Sequence, residues 1–387
     1  MCSVDERCAL QQPHWDCVKQ SASRFRYNGA PFFNACFVTD PSQFNFSIAI
    51  VRFSALGDVV MVSAAVRALQ QVLPEAKVTW ITSPLAHALL NGLDGIQFEV
   101  IEKPRSLSDY RVFYHTFRHR QFDVVLEMQA NLRINLLYPA LHAPAKVGFD
   151  RTRAREGQWL FSNRRIPFHD SHLVDSFLSF VEAVTGKPAT AIWDLPVNEE
   201  DLLWARDRLQ ALPRPWVAIH PHASKTERNW LPDRYSEVVR RSVARWNCGV
   251  ILTGGSNASE LTLCKDLALL VPEHSLNLSG KTTPKQLAAL LGLVDVLIAP
   301  DTGVVHIARA MDTPVVGLYG VASPKLTGPY QKLEYCVDRY PQAVIKLLGK
   351  DPDRLPWNSR VHHPDAMSLI EVSDVMQQLE KLLGHDS

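Results

Sequence analysis

An apolar run, a tight turn and a helix follow one another in residues 294–308, and the turn carries groups suited to an anion. The run ends at Ala299, Asp301, Thr302 and Gly303 follow it, and His306 comes one helical turn after Thr302. At such a junction the free N–H groups of the first helical turn favour a negative charge. Gly303 lets phosphate oxygens approach the main chain closely. The stretch predicts a phosphate site, although alone it is equally compatible with Asp301 capping a helix.

A second junction, at residues 52–60, places a carboxylate where the first predicted strand gives way to a helix. Gly57 permits a tight main chain there and Asp58 follows it. A carboxylate at a helix N-terminus is stabilised as the anion, and one that faces a cleft is suited to act as a base. The plainer role for Asp58 is a helix cap, worth about 1 kcal/mol. The turn lacks the Gly-x-Gly-x-x-Gly spacing, which argues against a dinucleotide-dependent dehydrogenase.

Three further predicted strand ends in the second half of the chain carry loops of small and polar residues, at 220–232, 253–257 and 278–282. The planar guanidinium of Arg228 can bind two phosphate oxygens, and main-chain approach of a nucleotide is expected at the glycines. A solvated charged loop is the alternative for the first. The candidate nucleotide and diphosphate ligands in these loops are Ser224, Lys225, Arg228, Gly254, Gly255, Glu260, Gly280 and Lys281.

Basic residues are concentrated in the first half of the chain. Residues 101–165 contain twelve Lys and Arg against six Asp and Glu, while the whole chain has a net charge of +1. This local excess favours an anionic acceptor or an anionic membrane face, with a solvated surface as the alternative. The candidate acceptor ligands are Arg105, Arg118, Arg120, Arg133, Arg153 and Arg155.

Short apolar runs alternate with amphipathic helices from residue 46 onward, which predicts α/β architecture with parallel sheets covered on both faces. Two doubly wound, Rossmann-like domains in tandem place the carboxyl ends of both sheets at one central cleft. The predicted strands are 47–53, 77–82, 98–101, 124–128 and 145–148 in the first half, and 216–220, 249–253, 274–277, 296–299 and 315–319 in the second.

The chain divides into four parts on composition and pattern. Residues 1–45 show no helical or strand period and are expected to form an irregular extension. Residues 46–195 are expected to form the first domain and 196–345 the second, with a proline-rich boundary at 186–215. In residues 346–387, a helix at 369–383 is expected to pack back on the first domain.

Composition excludes several classes of protein. A chain of 387 residues with 46% hydrophobic content can build two cores. Its near-neutral charge gives no indication of nucleic-acid binding. The seven cysteines contain no Cys-x-x-Cys pair, so neither a zinc site nor a disulfide framework is expected. No apolar run approaches the roughly 18 residues that span a bilayer, and a soluble, cytoplasmic protein is expected.

Together these motifs resemble the ADP-heptose:lipopolysaccharide heptosyltransferases, glycosyltransferase family 9, which have the two-domain GT-B fold. The resemblance covers residues 46–345 and is closest to heptosyltransferase I-like members. Supporting matches are Gly57-Asp58, Arg228-x-Trp230 and the Arg-Ala-Arg-Glu-Gly stretch at 153–157. The most specific matches are residues 287–295, the Asp301-Thr302-Gly303 turn with His306 and Ala308, and the Pro-Val-Val-Gly-Leu-Tyr-Gly stretch at 314–320.

The resemblance implies that domain 46–195 binds the acceptor and domain 196–345 the nucleotide sugar, and it implies a role for each candidate residue. Asp58 would be the general base that deprotonates the acceptor hydroxyl for in-line attack with inversion. Arg228, where many members have Lys, would hold the departing diphosphate. Thr302, Gly303 and His306 would contact the same phosphates, with Asp301 shaping the turn. Fixed cations and amides would then stabilise leaving ADP without an obligatory metal or other cofactor, and the chain has no Asp-x-Asp motif.

The resemblance also implies an activity and its place. The expected reaction transfers L-glycero-D-manno-heptose from ADP-heptose to a Kdo-lipid A type acceptor in lipopolysaccharide core synthesis, at the inner face of the inner membrane. The alternatives are a family 9 transferase with another nucleotide sugar or acceptor, a GT-B nucleotide-sugar epimerase, and a catalytically silent nucleotide-binding protein. Protein-directed relatives carry a cysteine-ligated metal element, of which the scattered Cys248, Cys264 and Cys336 give no sign.

Overall fold

A computed structural model describes residues 46–384, so the predicted extension at 1–45 lies outside the described residues. Two six-stranded sheets, with every strand pair parallel, form the centres of two domains. This arrangement confirms the predicted doubly wound α/β architecture. Within the described part of the chain, no helix is both long and apolar enough to span a bilayer.

The first domain contains a sheet in the order β3-β2-β1-β4-β5-β6. Its strands are β1 (Ser47–Val51), β2 (Lys77–Thr82), β3 (Ile96–Val100), β4 (Val124–Leu126), β5 (Ala145–Gly148) and β6 (Arg164–Arg165). Its helices are α1 (Leu56–Val72), α2 (Pro84–Leu90), α3 (Leu107–Phe117), α4 (Leu132–Asn135) and α5 (Leu173–Thr185).

The second domain repeats this plan. Its strands are β7 (Trp216–Ile219), β8 (Gly249–Leu252), β9 (Ser275–Asn277), β10 (Val296–Pro300), β11 (Val315–Tyr319) and β12 (Val337–Asp338), in the order β9-β8-β7-β10-β11-β12. Its helices are α6 (Glu199–Leu209), α7 (Pro232–Trp246), α8 (Ala258–Leu269), α9 (Pro284–Leu291), α10 (Gly303–Ala310), α11 (Pro324–Thr327), α12 (Tyr340–Leu348) and α13 (Val372–Leu383).

All ten predicted strands are present, with small shifts at their ends, while the edge strands β6 and β12 were not predicted. Each of these has two residues, which is too short to show a period of its own. The first predicted strand ends two residues early because the Phe53 N–H donates to the Gln129 side chain at 2.7 Å rather than to a neighbouring strand. The proline-rich boundary contains helix α6, which packs on α9 of the second domain.

Helix α1 lies between the two domains and is buried on almost every side. It packs on α5 of the first domain and on α10 of the second. Val59 and Val62 of α1 belong to the same apolar cluster as Val305 and Ile307 of α10. A helix that is apolar all round needs such an enclosed position. One continuous core therefore joins the domains beside the cleft.

The C-terminal helix α13 packs on α7 of the second domain, which corrects the prediction that it packs on the first. Its buried Val375 and Leu379 belong to the same apolar cluster as Tyr235 and Val239 of α7. The segment before α13 does reach the first domain, since the Trp357 indole N–H donates to the Ser171 carbonyl at 2.9 Å.

Candidate active-site cleft

The strand order of each sheet reverses next to its first strand, between β1 and β4 and between β7 and β10. Open α/β sheets bind ligands outside the carboxyl ends of their strands at such points. Helices α1 and α10 begin there, one in each domain, and their first turns touch. A Cβ added to Gly57 would lie 2.8 Å from the Gly303 Cα and 2.7 Å from the His306 Cδ2. The carboxylate and the anion-binding turn found in the sequence therefore share one cleft.

Asp58 is held by an ion pair that the sequence did not reveal. Its Oδ2 pairs with the Arg52 guanidinium and accepts from the Ala55 N–H at 3.2 Å. Arg52 is buried and donates its other terminal nitrogen to the Met128 carbonyl at 2.5 Å. The Asp58 side chain keeps 27% of its surface exposed, so a substrate hydroxyl can reach it. Asp58 thus combines the cap with a fixed, accessible carboxylate.

The first turn of α10 is open to a ligand. Thr302 occupies the cap position, but within the described residues its side chain makes no capping hydrogen bond. His306 is buried, and burial lowers its pKa to about 4, although the nearby Asp58 charge acts in the opposite direction. Its Nδ1 has no hydrogen-bond partner in the described part of the chain. The first turn of α10 therefore combines a helix end without a side-chain cap and a buried, neutral imidazole.

Two guanidinium groups flank the carboxylate of Asp301. Arg228 Nη1 lies 3.2 Å from Asp301 Oδ2 and donates to the Asp301 carbonyl at 3.3 Å. Arg360 Nη1 lies 3.6 Å from the same Oδ2. The sequence analysis missed Arg360, because it lies in the irregular segment after the recognised motifs. Asp301 thus contacts both cations, and its role in shaping the turn stays a prediction.

Four of the remaining donor-side candidates, Gly254, Gly255, Glu260 and Gly280, follow β8 and β9. The Glu260 carboxylate accepts from the Gly255 N–H, and the Gly280 N–H donates to the Gly254 carbonyl at 2.9 Å. These contacts form a small polar shelf with main-chain groups at its surface. The other three candidates are exposed, Ser224 and Lys225 in the Arg228 loop and Lys281 with its ammonium group on the Asn277 carbonyl at 3.1 Å.

A cationic cavity opens on the first-domain side of the cleft. It has a volume of about 590 Å³ and is lined by Ser54, Lys103, Arg105, Gln129, Arg133 and their neighbours. Burial lowers the pKa of Lys103, and the charges of Arg133 and Arg52 lower it further. Such crowding of positive charge favours an anionic ligand. Lys103 was counted only as part of the basic excess, and the structure adds it to this cavity.

Three of the predicted acceptor ligands do not reach this cavity. Arg153 is buried, pairs with Asp150 and donates to the Pro167 carbonyl at 2.6 Å, which corrects its expected contact with an acceptor. Arg118 and Arg120 lie between the C-terminal end of α3 and the start of β4. They are therefore at the edge of the sheet where strands begin, whereas the cleft lies where strands end. Arg120 there pairs with Glu99.

The other three occupy the cleft side of the first domain. Arg105 and Arg133 line the cationic cavity. Arg155 is exposed, and its charge contributes to lowering the pKa of Arg360, which places it near the two cations at Asp301. Contact of these three arginines with an acceptor remains a prediction.

Glu127, which no motif marked, lies beneath the floor of the cavity. It is fully buried, and neither carboxylate oxygen has a hydrogen-bond partner among the described residues. Burial raises its pKa to about 8, with the Lys146 charge opposing. The Gln158 side-chain amide donates to the main-chain carbonyl of Glu127 at 2.6 Å. Burial therefore favours the protonated, neutral form of Glu127.

No metal-binding cluster is found in residues 46–384, where no three His, Cys, Asp or Glu side chains converge. Cys248, Cys264 and Cys336 are separate free thiols, and burial raises the pKa of each.

Comparisons with known proteins agree with this arrangement. The model of glycosyltransferase family 9 (heptosyltransferase) matches residues 110–347. The chain is 34% identical to the lipopolysaccharide core heptosyltransferase OpsX of Haemophilus influenzae, over 87% of this chain and 96% of that protein. It is 24% identical to lipopolysaccharide heptosyltransferase 3 of Escherichia coli, over 86% and 96%.

Among solved structures, E. coli heptosyltransferase WaaC with ADP-2-deoxy-2-fluoro heptose matches with a TM-score of 0.62 at 20% identity, over 87% of this chain and 99% of that one. E. coli ADP-heptose heptosyltransferase II matches with a TM-score of 0.68 at 19% identity, over 88% of this chain and 99% of that one. These likenesses show the fold, which is the predicted GT-B arrangement. The iron-containing E. coli glycosyltransferase TibC, at 0.53 and 14%, and a UDP-GlcNAc 2-epimerase of Methanocaldococcus jannaschii, at 0.52 and 10%, share it more distantly.

Proposed function

The chain belongs to glycosyltransferase family 9, and on this premise we propose that it transfers L-glycero-D-manno-heptose from ADP-heptose to a Kdo-lipid A type acceptor, with inversion, in lipopolysaccharide core synthesis. The similarity to OpsX, named as a lipopolysaccharide core heptosyltransferase, supports the sugar and the pathway. The WaaC structures with ADP and with a fluorinated ADP-heptose support the donor.

The observation that carries the proposal is the approach of Asp58 to the anion-binding turn of α10 across the Gly57–Gly303 contact. Asp58 takes the proton of the acceptor hydroxyl while that oxygen bonds to the anomeric carbon. The bond from this carbon to the β-phosphate oxygen breaks, and ADP leaves with the electron pair. A single displacement of this kind inverts the anomeric centre, and one base is enough because a diphosphate leaves as a stable anion.

The second domain supplies the groups that receive the leaving charge. Arg228 provides a guanidinium next to the Thr302–Gly303 turn, and the first N–H groups of α10 point to the same place. Such fixed cations and dipoles stabilise developing charge without reorganising during the reaction. His306, neutral because burial lowers its pKa to about 4, can hydrogen-bond a phosphate oxygen through its unpartnered Nδ1.

The cationic cavity of the first domain fits an acceptor with carboxylate and phosphate groups. Lys103, Arg105 and Arg133 bring three positive charges to its walls. The cavity opens beside Ser54 at the end of β1, four residues before Asp58, so an acceptor held there presents a hydroxyl close to the base. No metal ion is required by this scheme, since the residues named carry both the proton and the leaving charge.

The acceptor is a membrane lipid in this scheme, and we place the enzyme on the cytoplasmic face of the inner membrane. Helices α3 and α4 and the turn at 158–160 are joined by hydrogen bonds from the Tyr110 hydroxyl to the Arg133 carbonyl and from the Leu132 N–H to Glu156. These elements expose large apolar side chains, and two of them, Leu132 and Leu136, line the cavity. The exposed set here named the apolar rim is Leu107, Val112, Leu132, Leu136, Trp159 and Leu160. Arginines around an apolar rim suit an anionic bilayer.

The proposal is tested by incubating the purified chain with ADP-, UDP- and GDP-linked sugars, each with and without a Kdo-lipid A acceptor, and following nucleotide release. ADP release from ADP-heptose that requires the acceptor supports the proposal. Acceptor-dependent release from another donor indicates the alternative family 9 transferase. Interconversion of a nucleotide sugar without acceptor indicates an epimerase. No turnover of any donor, with nucleotide still bound, indicates a silent nucleotide-binding protein.

A further inference from the structure

A segment near the C-terminus spans from the first domain to the second and is anchored at both ends. In the first domain, the Trp357 indole bonds to the Ser171 carbonyl and its ring packs edge-on against Phe168 at 6.4 Å. In the second, the Val361 N–H donates to the Val321 carbonyl at 2.9 Å. Next to it, His362 lies 2.9 Å from the carboxylate of Glu227, the neighbour of Arg228. These anchors fix residues 357–362 across the cleft.

Arg360 is the residue that this segment brings to the Asp301 carboxylate. Its Nη1 stands 3.6 Å from Asp301 Oδ2, beyond hydrogen-bond length, and has no hydrogen-bond partner among the described residues. The Arg228 Nε is likewise buried and unpartnered, and the Arg228 Nη1 lies 3.2 Å from the same Asp301 oxygen. Two guanidinium groups thus keep unused donors around one carboxylate.

The charges at this point do not balance. Asp301 and Glu227 supply two negative charges against three cations, Arg228, Arg360 and the nearby Arg155, which leaves one positive charge in excess. Like charges in a partly buried site repel each other unless an anion binds between them. The same place lies beside the Thr302–Gly303 turn, where the first N–H groups of α10 also favour an anion. A group with two or more negative charges fits this set of donors.

We propose that Arg360 is a second guanidinium ligand of the donor's diphosphate, placed opposite Arg228 by the segment that crosses the cleft. The inference rests on the proposed function and adds a residue that lies outside the matched family region, 110–347. Arg228 and Arg360 each bind phosphate oxygens, and Asp301 holds the two guanidinium groups apart. The partly exposed Arg360 side chain, at 26%, leaves its remaining donors open to the ligand.

The test is isothermal titration of the full-length chain with ADP, and displacement titration with adenosine, which lacks both phosphates. Arg360→Gln is expected to weaken ADP binding by about tenfold or more, the loss typical of a charge-assisted hydrogen bond. Adenosine binding should stay within about twofold of the wild type. Arg360→Lys keeps the positive charge but not the planar guanidinium that can bind two oxygens, so it should recover part of the ADP affinity. The matched control is Arg354→Gln, since Arg354 lies in the same part of the chain and is 87% exposed.

The outcomes separate this inference from the proposed function. An Arg360→Gln protein that binds ADP as tightly as the wild type overturns the role of Arg360 and leaves the proposed function standing. Equal losses for ADP and adenosine also overturn it, because they indicate a structural effect. If Arg360→Gln does not fold, Arg360→Lys decides, and unchanged ADP affinity in that variant overturns the inference. A folded wild-type chain that binds no ADP overturns the proposed function itself.

Discussion

Gly57 in the first domain and Gly303 in the second touch main chain to main chain: a Cβ on Gly57 would lie 2.8 Å from the Gly303 Cα. The contact brings the N-terminal ends of α1 and α10 together, one presenting Asp58 and the other the anion-binding turn. Only the absence of a side chain at both positions permits this approach. Two glycines therefore set how closely Asp58, the proposed base, approaches the turn proposed to hold the leaving group.

Gly57→Ala is expected to reduce turnover strongly, because the added methyl group would overlap the His306 ring and the Gly303 Cα. The domains must separate or His306 must turn, and a misplacement of about 1 Å can cost on the order of a hundredfold in rate. Steady-state kinetics measure the loss.

Gly349→Ala is the control for this change. Gly349 has a positive φ of 62° with no atom within 4 Å of an added Cβ, so the substitution strains only the end of α12. It should lower the free energy of unfolding by about 1 kcal/mol and leave kcat unchanged. Equal kinetic effects of the two substitutions would contradict the proposed role of the Gly57 contact.

Arg52→Gln should lower kcat by about tenfold or more while ADP affinity stays near the wild-type value, because Arg52 orients Asp58 and lies on the acceptor side. Kinetics and ADP titration together make the measurement. Arg67→Gln is the control, since Arg67 forms a comparable ion pair with Asp194. A variant at Arg52 with unchanged kcat would show that the ion pair is not needed to hold the carboxylate.

Glu127→Gln should stabilise the protein increasingly as pH rises. The pKa of Glu127 is about 8 in the folded protein, above the ordinary 4.5, so between these values the folded chain holds a proton that the unfolded chain has released. The free energy of unfolding of the wild type therefore falls as pH rises through this window, and glutamine removes that loss. The difference should exceed about 1 kcal/mol by pH ~8 and then level off.

Urea unfolding of both proteins at about pH 5, 7 and 9 measures this difference in the free energy of unfolding. Three buried histidines, His172, His220 and His306, have pKa values lowered to about 4 by burial and destabilise the fold as pH falls below about 6.5. These histidines titrate in both proteins, so their contributions cancel in the difference between the two free energies of unfolding. A difference that does not grow with rising pH would show that Glu127 is already charged in the folded protein.

Replacing Trp159 and Leu160 of the apolar rim with serine should weaken binding to vesicles that contain phosphatidylglycerol, without changing ADP affinity. Both side chains are about half exposed or more, at 49% and 65%. Each buried apolar group adds to interfacial binding, and anionic lipid attracts the arginines around them. Vesicle flotation measures the effect. Leu269→Ser, at a leucine 66% exposed on α8 of the second domain, is the control, and equal losses would rule out the rim as the contact.

Much of this fold follows from local pattern. The alternation of apolar strands and amphipathic helices predicts both parallel sheets, and the loops after β1, β7, β8 and β10 contain most of the site. The reason is that a parallel sheet brings its strand ends to one edge, so a one-dimensional pattern identifies a three-dimensional cleft. The family motifs fall on those same loops.

What the sequence could not predict depends on contacts between distant parts of the chain. Arg153 resembles its neighbours in type, yet Asp150 and Pro167 enclose it, and only the fold separates it from Arg155. Arg360 lies in an irregular segment without a period. Arg52 directly follows β1, and its side chain is identified as the partner of Asp58 only in three dimensions. In the sequence, Glu127 belongs to the short predicted strand 124–128. The burial of its carboxylate without a hydrogen-bond partner among the described residues depends on residues from several elements.

The central claim is that Asp58 is the base in heptose transfer, and the most direct test follows product by mass spectrometry after mixing ADP-heptose and Kdo-lipid A with wild type, Asp58→Asn or Asp207→Asn, an exposed control in α6. The account predicts acceptor-linked heptose from the wild type and the control. It predicts a loss of about 10²- to 10⁴-fold for Asp58→Asn with ADP affinity nearly intact. An Asp58→Asn protein that retains more than a small part of the wild-type rate would contradict the claim.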